Sequence, residues 1–251
     1  MTKNKSGSHS ATSIYPLFYK KVVPLNKESH SELYIEGIEG YTHTKETNSV
    51  YIAAIEFIQI AKEYPIVFAK GADDKVFPVA LLGLEKNQNL FVDNEGAWTA
   101  EYIPAYVRRY PFILATPNEK ESTFAVCIDE SYPGFNTAKE GKPLFDEKGQ
   151  QLDILSQAIE FLKDYQAHVQ LTVLFCENLS TLDLLEPMQA NIEFAGGEKS
   201  TLGGFMGVSR EKLKSLKPAQ FSELVKSDQM ELIYAHLASL SNMNDLIKRR
   251  S

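Results

Sequence analysis

The pattern of apolar and polar positions divides the chain into a strand-rich first half and a helix-rich second half. Before residue 130, apolar residues come in short runs bounded by turn-like stretches. These runs lie at residues 33–38, 65–69, 76–84, 89–92, 112–115 and 122–128. Short apolar runs between Gly, Pro, Asn and Asp clusters are typical of strands, so these segments predict a mainly antiparallel sheet. The GADDK and PNEKE stretches predict the turns that join two of its strand pairs.

Helical spacing of apolar residues dominates after residue 150. The predicted helices lie at residues 153–176, 180–186, 210–216, 220–228 and 230–250, and a Gly-rich segment at 201–209 is strand-like. Two earlier helices are also predicted. One covers residues 49–64, from a Ser49 cap to the stop at Pro65, and the other follows Ile103 with Pro104 in its first turn. This segregation favours an α+β fold in which helices of the C-terminal half pack on a mainly antiparallel sheet from the N-terminal half.

The length of 251 residues is sufficient for one large domain with a sizeable core. Residues 1–13 are rich in Ser, Thr, Lys and Asn, which predicts a disordered tail. Residues 14–251 are interpreted as a single domain. A polar, Gly/Pro-containing connection at residues 132–151 marks a candidate subdomain boundary within it.

Charge and composition narrow the function classes. The net charge is −7, and 43% of the residues are hydrophobic, close to an ordinary globular protein. The acidic balance argues against a nucleic-acid-binding protein, and no apolar run reaches the roughly 18 residues that span a bilayer. The N-terminus has no apolar signal-peptide core, so we expect a soluble, cytoplasmic protein, with signal-independent export left open. Cys127 and Cys176 lie in apolar contexts and are interpreted as buried thiols, with a disulfide or a reactive thiol as the alternatives.

Several segments together carry a family resemblance. They are YPLFY (15–19), EF (56–57), YPIVF (64–68), ALLGL (80–84), NLFVD (89–93), GAW (96–98), YIPAYVRRYPF (102–112), PLFDEKG (143–149) and IYAHLASL (233–240). In this order and at this spacing, the chain resembles the SapC family, and the resemblance covers nearly everything after residue 13. That family is linked by its name to a bacterial surface layer and differs from the similarly named permease of a peptide transporter. The resemblance implies a non-enzymatic accessory or binding protein that assists a modifying enzyme or a surface-associated system, and it supplies no catalytic residues.

One cluster of residues predicts a ligand-binding site. Its members are Trp98, Tyr102, Arg108, Arg109, Tyr110 and His236. A guanidinium binds carboxylate or phosphate bidentately, so the cluster predicts an aromatic-walled anion site for a small acidic ligand or a protein partner. Adjacent arginines on a helix point in different directions, and the structural alternative is an Arg network at a helix end. The alternative for His236 is a core histidine with satisfied hydrogen bonds.

The competing function is an enzyme that acts on a small acidic or peptide-like substrate, with His236 or Glu56 as its general base. A structural surface-layer component is a third class. We predict no metal and no cofactor, because the histidines lack zinc-site spacing and GGFMG (203–207) lacks the Lys-Ser/Thr ending of a phosphate loop. Oxygen-bearing side chains at residues 89–95 leave a calcium site as the less favoured alternative to a hairpin turn. Self-association is left open.

Overall fold

The computed structural model describes residues 16–37, 40–115, 124–193, 197 and 199–250, and it has the α+β organisation that the sequence predicts. The strands are β1 (Val22–Pro24), β2 (Tyr34–Ile35), β3 (Ser49–Tyr51), β4 (Ile66–Lys70), β5 (Val76–Leu81), β6 (Phe112–Ala115), β7 (Ala125–Asp129), β8 (Phe135–Asn136), β9 (Lys142–Pro143), β10 (Leu185–Glu193) and β11 (Lys199–Val208). The α-helices are α1 (Phe57–Ile60), α2 (Ala105–Arg108), α3 (Asp153–Thr181), α4 (Arg210–Lys214), α5 (Pro218–Lys226), α6 (Gln229–Ser239) and α7 (Met243–Arg250). Short 3-10 turns lie at Thr42–Thr44, Ala54–Glu56 and Leu240–Asn242. The predicted tail at 1–13 and the PNEKE turn lie outside the described residues.

The main sheet is antiparallel and has the strand order β10-β11-β4-β5-β3. Its central strand β4 buries Ile66, Val67 and Phe68 completely, as the continuous apolar run predicts. Strands β10 and β11 come from the second half of the chain and extend the sheet beyond β4. The sheet is therefore not built from the N-terminal half alone.

Two smaller antiparallel sheets have the orders β1-β7-β6 and β8-β2-β9. The predicted pairing of residues 112–115 with residues 122–128 is confirmed, because Phe112 in β6 lies opposite Ile128 in β7. These sheets share a separate apolar cluster with the first half of α3, around Leu144, Leu155 and Leu162. The described chain thus has a large core under the main sheet and smaller clusters beside it.

Helix α3 joins the two parts of the fold. It contacts β5, β6 and the 3-10 turn Ala54–Glu56. Farther along the chain, α6 packs on β4 and β11 and also contacts α1. The prediction that the C-terminal helices pack on the sheets is therefore confirmed.

Three local predictions were wrong. Residues 49–51 form β3, paired with β5, so the predicted helix at 49–64 is limited to the 3-10 turn and α1. Residues 89–92 form only an isolated bridge, Val92 with Trp98. Residues 180–186 do not form a second helix, because α3 runs through Thr181 and β10 begins at Leu185. Pro187 is compatible with β10 because that strand lies at the sheet edge, where no neighbour needs its missing N–H.

Candidate functional site

The predicted helix after Pro104 is present as α2 and carries the arginine pair at its end. Pro104 occupies the N-cap position, and the backbone N–H of Arg109 bonds back to the carbonyl of Ala105 at 3.0 Å. A proline is compatible with a helix start because its fixed φ suits that position and its missing N–H is not needed there. The Tyr110–Pro111 peptide bond that follows is cis and leads directly into β6.

Arg108 and Arg109 point in different directions, as their adjacency on a helix predicts. Arg108 is exposed, and its Nε–H donates to the carbonyl of Ile103 at 2.9 Å. Its guanidinium carbon lies 5.6 Å from the ring centroid of Tyr102 and 5.2 Å from that of Phe161. Its Nη2 is 3.4 Å from the Tyr102 hydroxyl. Arg108 therefore lies at the surface with few strong restraints.

Arg109 is enclosed by tyrosine rings. Its guanidinium carbon lies 3.8 Å from the Tyr106 centroid, 5.4 Å from that of Tyr165 and 5.7 Å from that of Tyr19. Its Nε has no hydrogen-bond partner in the part of the chain that the structure describes. The three rings come from the N-terminal segment, α2 and α3, so Arg109 connects three parts of the fold by cation–π contacts. Arg109 is therefore held by ring contacts, whereas carbonyl binding, the structural alternative for the pair, is seen for Arg108 with Ile103.

Trp98 contacts three other aromatic residues, Tyr64, Phe91 and Tyr41. Its Nε1–H donates to the Tyr64 hydroxyl at 2.8 Å, and its ring stacks on Phe91 with an interplanar angle of 18°. On another side it meets the ring of Tyr41 edge to face at 5.6 Å. Trp98 is thus a half-buried support for Tyr41.

His236 is fully buried and lies apart from the other five predicted residues. Its Nδ1 is 2.9 Å from the carbonyl oxygen of Ile66, and its Nε2 accepts the N–H of Val208 at 3.0 Å. These partners require a neutral imidazole that carries its proton on Nδ1. Burial lowers the pKa of His236 to about 4. His236 therefore connects α6 to β4 and β11 and does not complete a site around α2.

Glu56, the other candidate base, is buried and has hydrogen bonds to both carboxyl oxygens. One oxygen accepts the N–H of Ala105 at 2.7 Å and the hydroxyl of Tyr102 at 3.0 Å. The other accepts the N–H of Ala53 at 2.8 Å. Burial raises the pKa of Glu56, and these hydrogen bonds oppose the rise. The carboxyl group holds α2 against the 3-10 turn before α1.

A cleft of about 290 Å³ lies on the other side of α2 from Glu56 and is here called the aromatic cleft. It is lined by Gly40, Tyr41, Thr42, His43, Val107, Arg108, Tyr110, Tyr132 and Pro133. Two of these, Arg108 and Tyr110, belong to the predicted site. The other rings come from residues 41, 43 and 132, far from α2 in sequence, so no local pattern indicates them.

The four rings of the aromatic cleft form a continuous series of contacts. The centroid distances are 6.3 Å from Tyr41 to His43, 4.5 Å from His43 to Tyr110 and 5.5 Å from Tyr110 to Tyr132. His43 and Tyr110 are stacked at 23°, whereas Tyr110 and Tyr132 are nearly perpendicular. The ring planes therefore change orientation from one member to the next.

The first two rings are positioned by a close contact between two glycines. The N–H of Tyr41 donates to the carbonyl of Gly96 at 2.6 Å. Gly40 and Gly96 have φ of +104° and +92°, a region that favours glycine. A Cβ at Gly96 would lie 2.7 Å from Cγ2 of Thr42. The GAW turn therefore determines where the segment that carries Tyr41 and His43 can lie.

The comparison with protein families decides the membership of the chain. A model of the SapC family matches residues 25–246, nearly the whole chain. The chain belongs to the SapC family. Neither the search of curated proteins nor the search of solved structures found a match. In the described part of this SapC protein, no helix is long and apolar enough to cross a membrane.

Arg108 is the only formal charge among the described side chains that line the aromatic cleft of this SapC protein. His43 adds no charge at neutral pH, because burial lowers its pKa to about 4. Its Nε2 has no hydrogen-bond partner among the described residues. This nitrogen is buried, so the wall offers a ligand one cation, Arg108, and uncharged ring surfaces.

A second, smaller cleft lies on the other side of Arg108 and differs in charge. It has a volume of about 220 Å³ and includes Glu56, Asp164 and His168 in its lining. His168 Nε2 lies 3.6 Å from a carboxylate oxygen of Asp164. Two acidic groups make this cleft less suitable for an anion than the aromatic cleft.

Tyr110 is held in place from the side opposite the cleft. Its hydroxyl lies 3.3 Å from a carboxylate oxygen of Asp129. That carboxylate also accepts the backbone N–H groups of Lys20, Lys21 and Ser131, and the hydroxyl of Ser131 at 2.6 Å. Although burial opposes the charge, these donors hold the pKa of Asp129 below its usual value. The hydrogen-bonded Asp129 carboxylate therefore helps to fix the position of Tyr110 in the wall of the aromatic cleft.

The other candidate groups have structural partners. Cys127 and Cys176 are buried and not joined to each other, and burial raises the pKa of Cys176 to about 12. Asn89 and Asp93, weighed for calcium, accept the backbone N–H groups of Phe91 and Ala97. Within the described ranges, no three His, Cys, Asp or Glu side chains are grouped as metal ligands.

Proposed function

We propose that this SapC protein is a non-enzymatic binding or accessory protein that holds a small carboxylate-bearing ligand in the aromatic cleft. The observation that carries the proposal is the charge of the described lining residues, which include one arginine and no acidic side chain, in a chain of net charge −7. A carboxylate there would receive charge-assisted hydrogen bonds from Arg108.

Arg108 serves this role by a rearrangement of its side chain. Its guanidinium now uses Nε for Ile103 and Nη2 for a long contact with Tyr102. The side chain is exposed and borders the cleft. To bind a carboxylate in the aromatic cleft, the guanidinium would leave its contacts with Ile103, Tyr102 and Phe161.

The contacts of the two candidate bases weigh against the enzyme alternative. His236 is 0% exposed and Glu56 is 3% exposed, and both have their polar atoms bound within the fold. A general base must reach the proton that it abstracts. The accessory role, in which the loaded protein serves a modifying enzyme or a surface-associated system, is part of this proposal.

The test is isothermal titration calorimetry with cyclohexanecarboxylate and with its neutral amide. We expect the acid to bind and the amide to bind at least about tenfold more weakly, because a charge-assisted hydrogen bond contributes about 1.5–3 kcal/mol. Arg108→Gln should lose a similar factor. Lys226→Gln removes the same charge from an exposed site on α5 and should have no effect. Equal binding of acid and amide, or equal loss in both variants, would contradict the proposal.

A further inference from the structure

The rings of the aromatic cleft carry information about the ligand beyond its charge. Tyr41, His43, Tyr110 and Tyr132 follow one another at centroid distances of 4.5 to 6.3 Å in the lining of one cleft. Aromatic pairs at such distances prefer offset-stacked or edge-to-face arrangements and gain about 0.5–1.5 kcal/mol beyond simple area burial. A planar ring inside this wall can meet the face of one ring and the edge of another at the same time. A puckered aliphatic ring of the same size gains only the burial.

The size and charge of the cleft limit the ligand further. Its volume of about 290 Å³ lies at the lower limit of the usual range for small-molecule pockets, which suits one ring better than a fused or extended system. Arg108 is the one formal cation of the described lining, and it matches one negative charge.

We infer that the ligand of the aromatic cleft is a small aromatic monocarboxylic acid, whose ring packs within the wall of Tyr41, His43, Tyr110 and Tyr132 and whose carboxylate binds Arg108. This inference rests on the proposed function, because it needs the same cleft and the same arginine. It adds the class of the ligand and assigns Tyr41 and Tyr132, at the two ends of the ring series, as specificity-determining residues.

The experiment compares benzoate with cyclohexanecarboxylate by calorimetry on the full-length chain. The two anions have the same charge and ring size, and they differ in planarity and π electrons. We expect benzoate to bind about 2- to 10-fold more tightly, which is the stacking contribution expressed as a ratio. If both anions bind equally, the carboxylate site stands and the aromatic inference is wrong. If neither binds, the proposed function itself is wrong.

Variants locate the preference. Tyr132→Leu and Tyr41→Leu keep apolar bulk but remove a ring at either end of the wall. Each should reduce the ratio of benzoate affinity to cyclohexanecarboxylate affinity towards unity. Tyr234→Leu, at a tyrosine on α6 that is 51% exposed, is the matched control and should leave this ratio unchanged. Thermal melts identify a variant that fails to fold, and the other Tyr→Leu variant then decides. A preference that survives in a folded Tyr132→Leu or Tyr41→Leu protein would overturn the inference.

Discussion

Acidification should destabilise this SapC protein through protonation of His236. The sequence allowed two interpretations of this residue, as part of a ligand site or as a core histidine. The fully buried imidazole has a pKa of about 4, against an ordinary value of 6.5. Its nitrogens are held by a carbonyl of β4 and an N–H of β11, and Arg210 also disfavours a positive charge there. Protonation would remove the acceptor that Val208 needs and place a charge in the core.

Proton linkage gives the sign and the size of this change in the free energy of unfolding. A base whose folded-state pKa is depressed contributes stability above its unfolded-state pKa and loses it as the pH falls through the window from 6.5 to 4. Each pKa unit corresponds to about 1.4 kcal/mol, so a fall from neutral pH to about pH 4.5 should cost about 2 kcal/mol through His236 alone. Above pH 7 its contribution should be constant.

Urea denaturation of the wild type and of His236→Gln, each at pH 7 and at about pH 4.5, measures this term. Glutamine offers a donor and an acceptor but does not titrate. The variant should be less stable at pH 7 by about 1–2 kcal/mol. It should then lose about 2 kcal/mol less than the wild type on acidification, because other titrating groups cancel in the comparison. Equal losses in the two proteins would refute a buried neutral His236.

Three further substitutions test other contacts. Glu56→Gln places an amide NH₂ against a backbone N–H and should lower the free energy of unfolding by about 1–3 kcal/mol. Because the folded-state pKa of Glu56 is raised, the contribution of Glu56 to stability falls as the pH rises. The urea midpoints of wild type and variant should therefore differ more at pH 5 than at pH 8. Arg109→Ala should lower the free energy of unfolding in urea by about 1–3 kcal/mol, because it removes contacts with three tyrosines. Arg108→Ala, at an exposed side chain, should lower it by less than about 0.5 kcal/mol. Equal losses would contradict the different roles of the two arginines. Gly96→Ala should lower the free energy of unfolding by about 1–2 kcal/mol in the same assay, since φ at residue 96 is positive and the new Cβ would contact Thr42. The variant should also bind carboxylates more weakly in calorimetry. Unchanged stability would show that the GAW turn does not position the cleft.

Local sequence signals were sufficient for many elements of the fold. The apolar run at residues 65–69 predicts a buried strand, which the structure has as β4, and Pro104 marks the start of α2. Residues 49–51 mislead because the same apolar spacing suits a helix in isolation, and only the partner strand β5, about 30 positions later, makes them a strand.

The candidate site was predicted in part, for a related reason. The arginine pair and Tyr110 share one short segment, so their proximity is visible in the sequence. Tyr41, His43 and Tyr132 reach the same cleft through the 3-10 turn after Gly40 and the loop after β7. Such contacts depend on tertiary packing, which one sequence without its fold does not reveal. The sequence around His236 is typical of an amphipathic helix. The burial of its side chain against β4 and β11 depends on the assembled sheet.

The most direct test of the central claim is a crystal structure of this SapC protein grown with 4-bromobenzoate, with the bromine located by its anomalous signal. The account predicts a bromine peak inside the wall of Tyr41, His43, Tyr110 and Tyr132, with the carboxylate within hydrogen-bonding distance of Arg108. A peak at any other place, or an empty aromatic cleft at a concentration well above that of the protein, would contradict it.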